Sequence, residues 1–338
     1  MKNVLDETLL DKFKRLFKDI EKDILPEASL IEKVMISMDF LYEKTINDIE
    51  LIDYVQYNFY GKKRSERKKF ITHGKLLKII KICNNPKFRE IFDNKIFFNK
   101  DFNDLLGRKW IDASTADSTV IHNFLAPLSE VFIKQPDGMF GKGIDKIPLA
   151  ECKDIEALIK SFQDNHLLLE EVIKQHPSFE EFNDTSVNSM RIVTLVKANN
   201  EVEVMAAVLR LGRKGKVADN FHHFGLAALI DIETGIVYSE GVDREWRRYV
   251  LHPDSKKTIV GFQIPFWDNV IQTVKNAAKI HPEVRYVGWD ITIQSDGRIA
   301  LIEGNPGADP DVTQIQDQVG KWPKFEKEIE KIENLKEE

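Results

Sequence analysis

The chain has 338 residues, 42% hydrophobic and 31% charged, with a formal net charge of −6. That is the balance of a globular protein large enough for two or three cores, and no basic stretch is interleaved with aromatics, which excludes general nucleic-acid binding. No apolar run approaches the ~20 residues of a membrane span. The two cysteines, Cys83 and Cys152, stand far apart, exclude a disulfide scaffold and fit a reducing cytosol.

Residues 1–94 read as an N-terminal helical region. Leu9, Leu10, Phe13, Phe17 and Ile20 recur at helical spacing, among acids and without an apolar h-region, so the segment is an amphipathic helix and not a signal peptide. Pro26 breaks that pattern. A longer helical run covers 29–60, and another helix covers 66–83, ending near Asn84-Asn85-Pro86. The one strong basic cluster, Gly61 to Lys69, is read as a solvated helix face or loop; a contact with anionic lipid or polymer is the alternative.

Residues 95–128 hold a short helix, then an irregular stretch rich in Ser, Thr, Asp and Ala. From 130 the pattern becomes strand, loop, strand, then a helix over 154–164 and a β-run, LLLEEVI. RIVTLVKA and VEVMAAVLRLG follow, with Asn199-Asn200 as the turn between them. A hairpin is expected over 226–240 around Glu233-Thr234-Gly235, a helix over 266–280, and a charged helix over 323–338. The class is α+β with mostly antiparallel sheets behind a helical region. It lacks the regular βαβ alternation of a dinucleotide-binding domain.

Several short stretches carry chemistry. Lys134 stands at a strand end before Pro136-Asp137-Gly138-Met139-Phe140-Gly141-Lys142-Gly143. Glycines let backbone N–H groups approach phosphates, and lysine adds charge. Gly143 follows Lys142 where a Walker loop has Ser or Thr, and a plain hairpin loop remains an alternative. Glu170, Glu171 and Val172 close an apolar run that could offer backbone groups to a purine edge and a carboxylate to a ribose; acids also commonly end surface strands. Arg191 and Arg210 sit at the edges of apolar strands, suited to phosphate or carboxylate, or to a structural ion pair. Asn220, His222 and His223 follow a glycine- and lysine-rich loop. No Ser-His-Asp or Cys-His arrangement is supported by spacing.

Residues 287–306, VGWDITIQSDGRIALIEGNP, are the most informative. With Asp296-Gly297 as a two-residue turn, Asp290 lies opposite Glu303 and Gly288 opposite Asn305. Asp290, Glu303 and Asn305 then share one face, with Trp289, Ile291, Ile293, Ala300 and Ile302 on the core face. Carboxylates paired this way have Cβ atoms about 5 Å apart and repel. A divalent cation would reverse that repulsion, and an all-oxygen set suits Mg²⁺ with nucleotide phosphates. A solvated acidic pair is the alternative.

Taken in order, these pieces resemble the ATP-grasp superfamily, and within it the sugar-transfer-associated, α-L-glutamate-ligase-like branch. The resemblance runs from about Asn94 to Gln314, and its most specific pieces are IEGNPG, VNSMRIVTL and RLGRKGKVADNFHHFG; DYVQYNFYGKKRSERKKFIT adds to it in the helical region. It implies a catalytic region over 95–322, with a small nucleotide subdomain near 130–173, a large metal-binding subdomain near 174–322, and a charged C-terminal helix over 323–338. It implies ATP held by Lys95, Lys134, Gly138, Gly141, Lys142, Glu170, Glu171 and Val172, and Mg²⁺ held by Asp290, Glu303 and Asn305. Arg191, Arg210 and Asn220 would be catalytic. The implied reaction joins a small-molecule carboxylate to an amine through an acyl-phosphate in the cytoplasm, on a sugar- or polysaccharide-related precursor. A kinase acting on a hydroxyl and a non-catalytic partner of a glycosyltransferase are the alternatives.

Overall fold

The computed structural model describes residues 17–18, 29–138, 143–215 and 225–337. The amphipathic segment expected before Pro26, Phe17 and Lys18 apart, lies outside them. The chain forms two compact units, Met1–Ile79 with Asp309–Lys327, and Ile80–Ala308 with Glu328–Glu338. No helix among the described residues is long and apolar enough to cross a membrane.

In the first unit, Ser29 and Glu32 form a capping box that opens helix Leu30–Asn47. The continuous run expected over 29–60 is interrupted at Asp48, whose left-handed conformation (φ 49°) ends the helix. A short helix, Leu51–Gln56, and a 3₁₀ turn, Phe59–Gly61, follow. The helix expected over 66–83 is likewise split into Arg64–Arg67 and His73–Cys83. Asp53 accepts the His73 backbone N–H at 2.9 Å, at the start of the second piece. Tyr54, Tyr57, Phe59 and Phe70 are buried as one aromatic cluster, and Gln314 closes it by donating to the Tyr57 hydroxyl at 3.0 Å. The basic cluster is not wholly solvated. Arg67 is buried, 2.7 Å from Asp39 and 3.0 Å from Glu43, because helix Leu30–Asn47 brings both acids to it.

The second unit carries two antiparallel sheets, the expected α+β class. The small sheet has the order β1 (Trp110–Asp112), β4 (Leu168–Glu171), β2 (Glu130–Lys134), β3 (Ile144–Pro148). Asp154 caps helix Ile155–Asp164, whose Ile159 and Phe162 bury with Val131 and Leu169 against it. Strand β1 and helix Ser118–Leu125 occupy the stretch expected to be irregular. The β-run expected through Ile173 stops at Glu171, so Val172 lies just past the strand.

The large sheet runs β11 (Ile299–Asn305), β10 (Tyr286–Ile293), β5 (Ser189–Val196), β6 (Val202–Leu211), β7 (Leu226–Leu229), β8 (Gly241–Val242), β9 (Arg248–Tyr249). Helix Trp267–Ala278 buries Trp267, Val270 and Val274 in the same core as Trp289 and Ile291. The expected 226–240 hairpin closes through an Ile230–Val237 bridge, with Asp231 accepting the Thr234 N–H at 2.8 Å.

The β10–β11 hairpin departs from expectation in its turn and agrees at its open end. Its loop has three residues, Ser295-Asp296-Gly297, closed by a 2.8 Å bond from Gln294 N–H to Arg298 C=O. That shifts the register by one. A β-bulge beyond Asp290 leaves Ile302 without a pairing partner and shifts it back, so Asp290 faces Glu303 and Gly288 faces Asn305 after all. Between turn and bulge the faces of β11 are inverted relative to expectation: Leu301 joins Trp289, Ile291 and Ile293 in one core cluster, while Ala300 is buried outside that cluster. Gly297 closes the loop at φ +83°, and an added Cβ would stand 3.0 Å from the Phe266 ring. Gly297→Ala should therefore lower stability by about 1–2 kcal/mol, read as a lower urea midpoint with an unchanged slope.

Candidate active site

Two charged clusters lie close together in the second unit. The first is built on the small sheet. Alternation along β4 turns Glu170 inward, while Glu171 stays half-buried and accepts the Lys109 N–H at 2.9 Å. Glu170 pairs opposite Phe132, on the face that also carries Lys134. The Lys134 ammonium lies 2.7 Å from Glu170 Oε2 and over the Phe132 ring, 5.4 Å from its centre. Arg108 grips the same carboxylate with two prongs, Nε to Oε2 at 2.8 Å and Nη2 to Oε1 at 3.0 Å, and Asn99 donates to Oε1 at 2.9 Å. Burial alone would raise the Glu170 pKa; Arg108 and Lys134 more than reverse that and hold it well below the usual carboxylate range. Burial lowers the Lys134 pKa, opposed by Glu170.

Lys95 opens helix Lys95–Asp101, capped by the Asn94 side chain. Its ammonium donates to the Gly138 carbonyl, and its backbone N–H donates to the Pro136 carbonyl at 2.9 Å. The helix start is thus tied to the chain entering the glycine loop. Burial lowers the Lys95 pKa, and Glu303, Lys134 and Glu170 all act on it electrostatically.

The second cluster crosses the large sheet. Glu303, Asp290 and Arg191 stand in register on β11, β10 and β5, and Arg210 on β6 reaches the same place. Arg191 holds Asp290 through Nε and through Nη2 (2.8 Å), and Arg210 Nη1 reaches Asp290 Oδ2 at 2.7 Å. Burial would raise the Asp290 pKa, but the two guanidiniums hold it well below the ordinary range. Glu303 shifts the other way. Its carboxyl is recessed beside Asp290, both effects raise its pKa, and the two carboxyls share a hydrogen bond. Glu303 is nonetheless an exposed residue while Asp290 is buried, so water blunts that rise. Gly288 leaves no spare room: an added Cβ would stand 2.4 Å from Ala308 Cβ and 2.9 Å from Arg191 Cδ.

Asn305 ends β11, and its side-chain oxygen accepts the Gly307 N–H at 2.9 Å. A carbonyl oxygen has a second lone pair, so this does not exclude a further ligand. The donor set fits a hard divalent cation: two adjoining carboxylates, one with a raised pKa, and an amide oxygen. Among the described residues no three His, Cys, Asp or Glu side chains form a metal cage.

The structure brings Lys95, Lys134, Gly138 and Glu170 together, and likewise Arg191, Arg210, Asp290 and Glu303. Gly141, Lys142, Asn220, His222 and His223 lie outside the described residues. Sequence reading missed Arg108 and Asn99. Asn99 is four residues after Lys95 on the same helix, which puts both on one face. A buried glutamate on a strand needs a cation nearby, and that is the signal that points to Arg108.

Comparison with known proteins gives the family. The sequence model described as sugar-transfer associated ATP-grasp matches residues 77–331, and the chain belongs to that family. Comparison with curated proteins gives no match. Among solved structures, the ATP-grasp ligase PsnB in complex with a minimal precursor matches at 16% identity over 74% of this chain and 64% of its own, with TM-score 0.46. An ADP complex of purK, N5-carboxyaminoimidazole ribonucleotide synthetase, matches at 12% identity over 72% of this chain and 53% of its own, TM-score 0.43. The D-alanyl-alanine synthetase A of Vibrio cholerae O1 biovar eltor str. N16961 matches at 14% identity over 74% and 67%, TM-score 0.44. The chain thus spans less than two thirds of the PsnB and purK structures.

Glu170 is the one carboxylate of the small-sheet cluster, and Glu170→Gln leaves two buried cations there without it. The variant should be less stable by about 3 kcal/mol or more near neutral pH. The sign with pH follows from the lowered pKa: this stabilisation is complete above the unfolded value, near 4.3, and fades as pH falls below it. Urea midpoints from pH 7 to pH 3 should therefore drop less in the variant than in the parent.

Proposed function

We propose that this protein is an ATP-dependent carboxylate–amine ligase acting on a sugar- or cell-surface-polysaccharide-related precursor in the cytoplasm. One observation carries the reading. Among the described residues, Lys95, Arg108 and Lys134 gather at Glu170, Arg191 and Arg210 gather at Asp290, and Glu303 beside Asp290 has a raised pKa. A site lined by lysine and arginine beside a hard-cation donor set is what a nucleotide polyphosphate with its divalent cation would neutralise.

In this reading the stretch 95–322 is the catalytic region, with the nucleotide held near 130–173 and the cation on the large sheet. Lys134 and Lys95 bind phosphate oxygens of ATP. Glu170, fixed by Arg108 and Asn99, orients Lys134, and the backbone at Glu171 and Val172 borders the base. Asp290, Glu303 and Asn305 would hold Mg²⁺, which would offset the negative charge of the phosphates. The γ-phosphoryl passes to the substrate carboxylate, giving an acyl-phosphate and ADP. The amine then attacks the acyl carbon, phosphate leaves, and an amide forms. Arg191 and Arg210 stabilise the negative charge that develops on the transferred group. Gly138, Gly141 and Lys142 belong to the loop that covers the phosphates and excludes water from the acyl-phosphate. Asn220 borders the acceptor.

Incubation with ATP, Mg²⁺ and pools of amino acids and uronic-acid sugars, read by mass spectrometry, tests the proposal. ADP should appear only with both a carboxylate and an amine present, together with an amide adduct. A stable phosphate ester on a hydroxyl with no amine requirement would make the protein a kinase. Absence of ADP with every candidate would make it a non-catalytic nucleotide-binding partner.

Arg210→Ala should lower kcat about 10²–10³-fold with little change in the KM for ATP, since its contact strengthens as charge develops. Glu303→Gln should abolish turnover yet leave the urea midpoint unchanged or higher at neutral pH, because it removes the acid that its neighbour disfavours. Asp290→Asn is the less clean variant, since Asp290 also neutralises two arginines.

A further inference from the structure

Four residues, Asn305-Pro306-Gly307-Ala308, carry the chain away from the end of β11. The Ala308 N–H donates to the Asn305 carbonyl at 3.3 Å, and the Gly307 N–H donates to the Asn305 side-chain oxygen at 2.9 Å. The course of this turn therefore sets the direction of that oxygen. Two of the turn's own carbonyls are captured by side chains. Asn84 Nδ2 donates to the Pro306 carbonyl at 2.8 Å, and the Tyr286 hydroxyl donates to the Ala308 carbonyl at 2.7 Å. Ala308 also closes on Gly288, where an added Cβ would stand 2.4 Å from its own.

Asn84 follows helix His73–Cys83 and is buried. Its amide also donates to the Tyr286 carbonyl at 2.9 Å and accepts the Tyr286 N–H at 2.8 Å. Both amide hydrogens and the oxygen are thus used, and the opposite amide orientation would set the oxygen against two carbonyls. Backbone bonds pin the residue on either side. The Arg285 N–H donates to the Cys83 carbonyl at 3.1 Å, and the Asn85 N–H donates to the Glu283 carbonyl at 2.9 Å. One side chain therefore ties the start of β10 to the turn after β11.

We infer that Asn84 and Tyr286 are positioning residues for the cation: by holding the turn, they fix the direction of the Asn305 side-chain oxygen. The inference rests on the assignment of Asn305 to the cation under Proposed function. Mg²⁺ demands near-octahedral ligands at about 2.0–2.1 Å, so an oxygen free to swing binds it poorly. Groups that orient a metal ligand typically contribute about 10–100-fold in affinity. Ca²⁺ accepts oxygens at roughly 2.3–2.6 Å in flexible geometry and depends less on their direction. If Asn84 only supported the fold, its loss would weaken both cations alike.

Calorimetry of ADP binding to the full chain tests this, with each protein measured in chelator, with Mg²⁺ and with Ca²⁺. The ratio of affinities with and without the cation reads the coupling. In Asn84→Ala the Mg²⁺ ratio should fall about tenfold or more, the Ca²⁺ ratio should fall less, and the affinity in chelator should match the parent. Asn305→Ala should show the same loss. Adding Asn84→Ala to it should cost nothing further, because both changes act on one ligand. Tyr286→Phe keeps the ring and removes only the hydroxyl, so it decides the matter if Asn84→Ala fails to fold; its Mg²⁺ ratio should fall about threefold. Parental Mg²⁺ ratios in the two variants overturn the inference, as do equal losses for both cations or additive losses in the double variant. A parent that binds no ADP, or binds it equally with and without Mg²⁺, overturns the nucleotide or cation assignment itself.

Discussion

The guanidinium of Arg108 fastens the two halves of the site. Its Nε and Nη2 hold Glu170 on the small sheet, and its Nη1 donates to the Leu301 carbonyl on β11 at 2.7 Å. Leu301 is the residue before the bulge that presents Glu303 to Asp290. One planar group with donors at fixed angles therefore sets the small sheet's carboxylate against the bulged strand of the large sheet. A lysine at 108 would supply charge without the fork. The chain enters Arg108 through Gly107 at φ +67°, where a Cβ would stand 2.8 Å from the Ile299 carbonyl. Backbone and side chain thus combine to aim the fork.

Burying this much charge is costly unless every group has partners. The second unit meets that demand in two ways. Glu170 is over-satisfied: three side chains donate to it, and it is one negative charge against two positive ones. Asp290 is clamped by two arginines while Glu303, directly opposite, is pushed toward its neutral form. Both arrangements leave the surroundings more positive than the carboxylates alone would. A cluster of this kind tolerates, and is relaxed by, an anion. A cation between Asp290 and Glu303 would likewise replace the proton they share.

The legible part of the site came from pairing rules, and its margin was narrow. Opposing Asp290 to Glu303 from sequence needed the correct register at the open end of the hairpin. The assumed two-residue turn was wrong by one and the unseen bulge at Ile302 was wrong by one in the opposite sense. Turn chemistry is local and can be read; a bulge is decided by what packs on each face. Here Leu301 enters the core, and Ile302 is left in the bulge, which sequence alternation alone does not decide. Glu170 and Glu171 show the same limit. Two acids end one strand, and only the orientation of β4 determines which one is buried with Arg108. Arg108 itself follows a glycine in a segment with no period, so nothing local marked it as an internal residue.

The first unit was legible as helical and illegible in its breaks. Asp48 ends one helix by taking a left-handed conformation, a role for which glycine would have been a clear marker and aspartate is not. Arg67 looked like one of several surface cations, yet it is buried because Asp39 and Glu43, one turn apart on another helix, meet it there. The helical run expected over 29–60 begins with helix Leu30–Asn47. The same period cannot say which face the fold will use. The face carrying Phe40 and Glu43 went inward, held by the ion pair and by the hydrogen bond from the Tyr54 hydroxyl to Asp39 at 2.6 Å. The face with more apolar side chains stayed outside. A stripe that is more hydrophobic than the buried side of its own helix is stable in water only at a cost, and burial against another surface is the physical way to remove it.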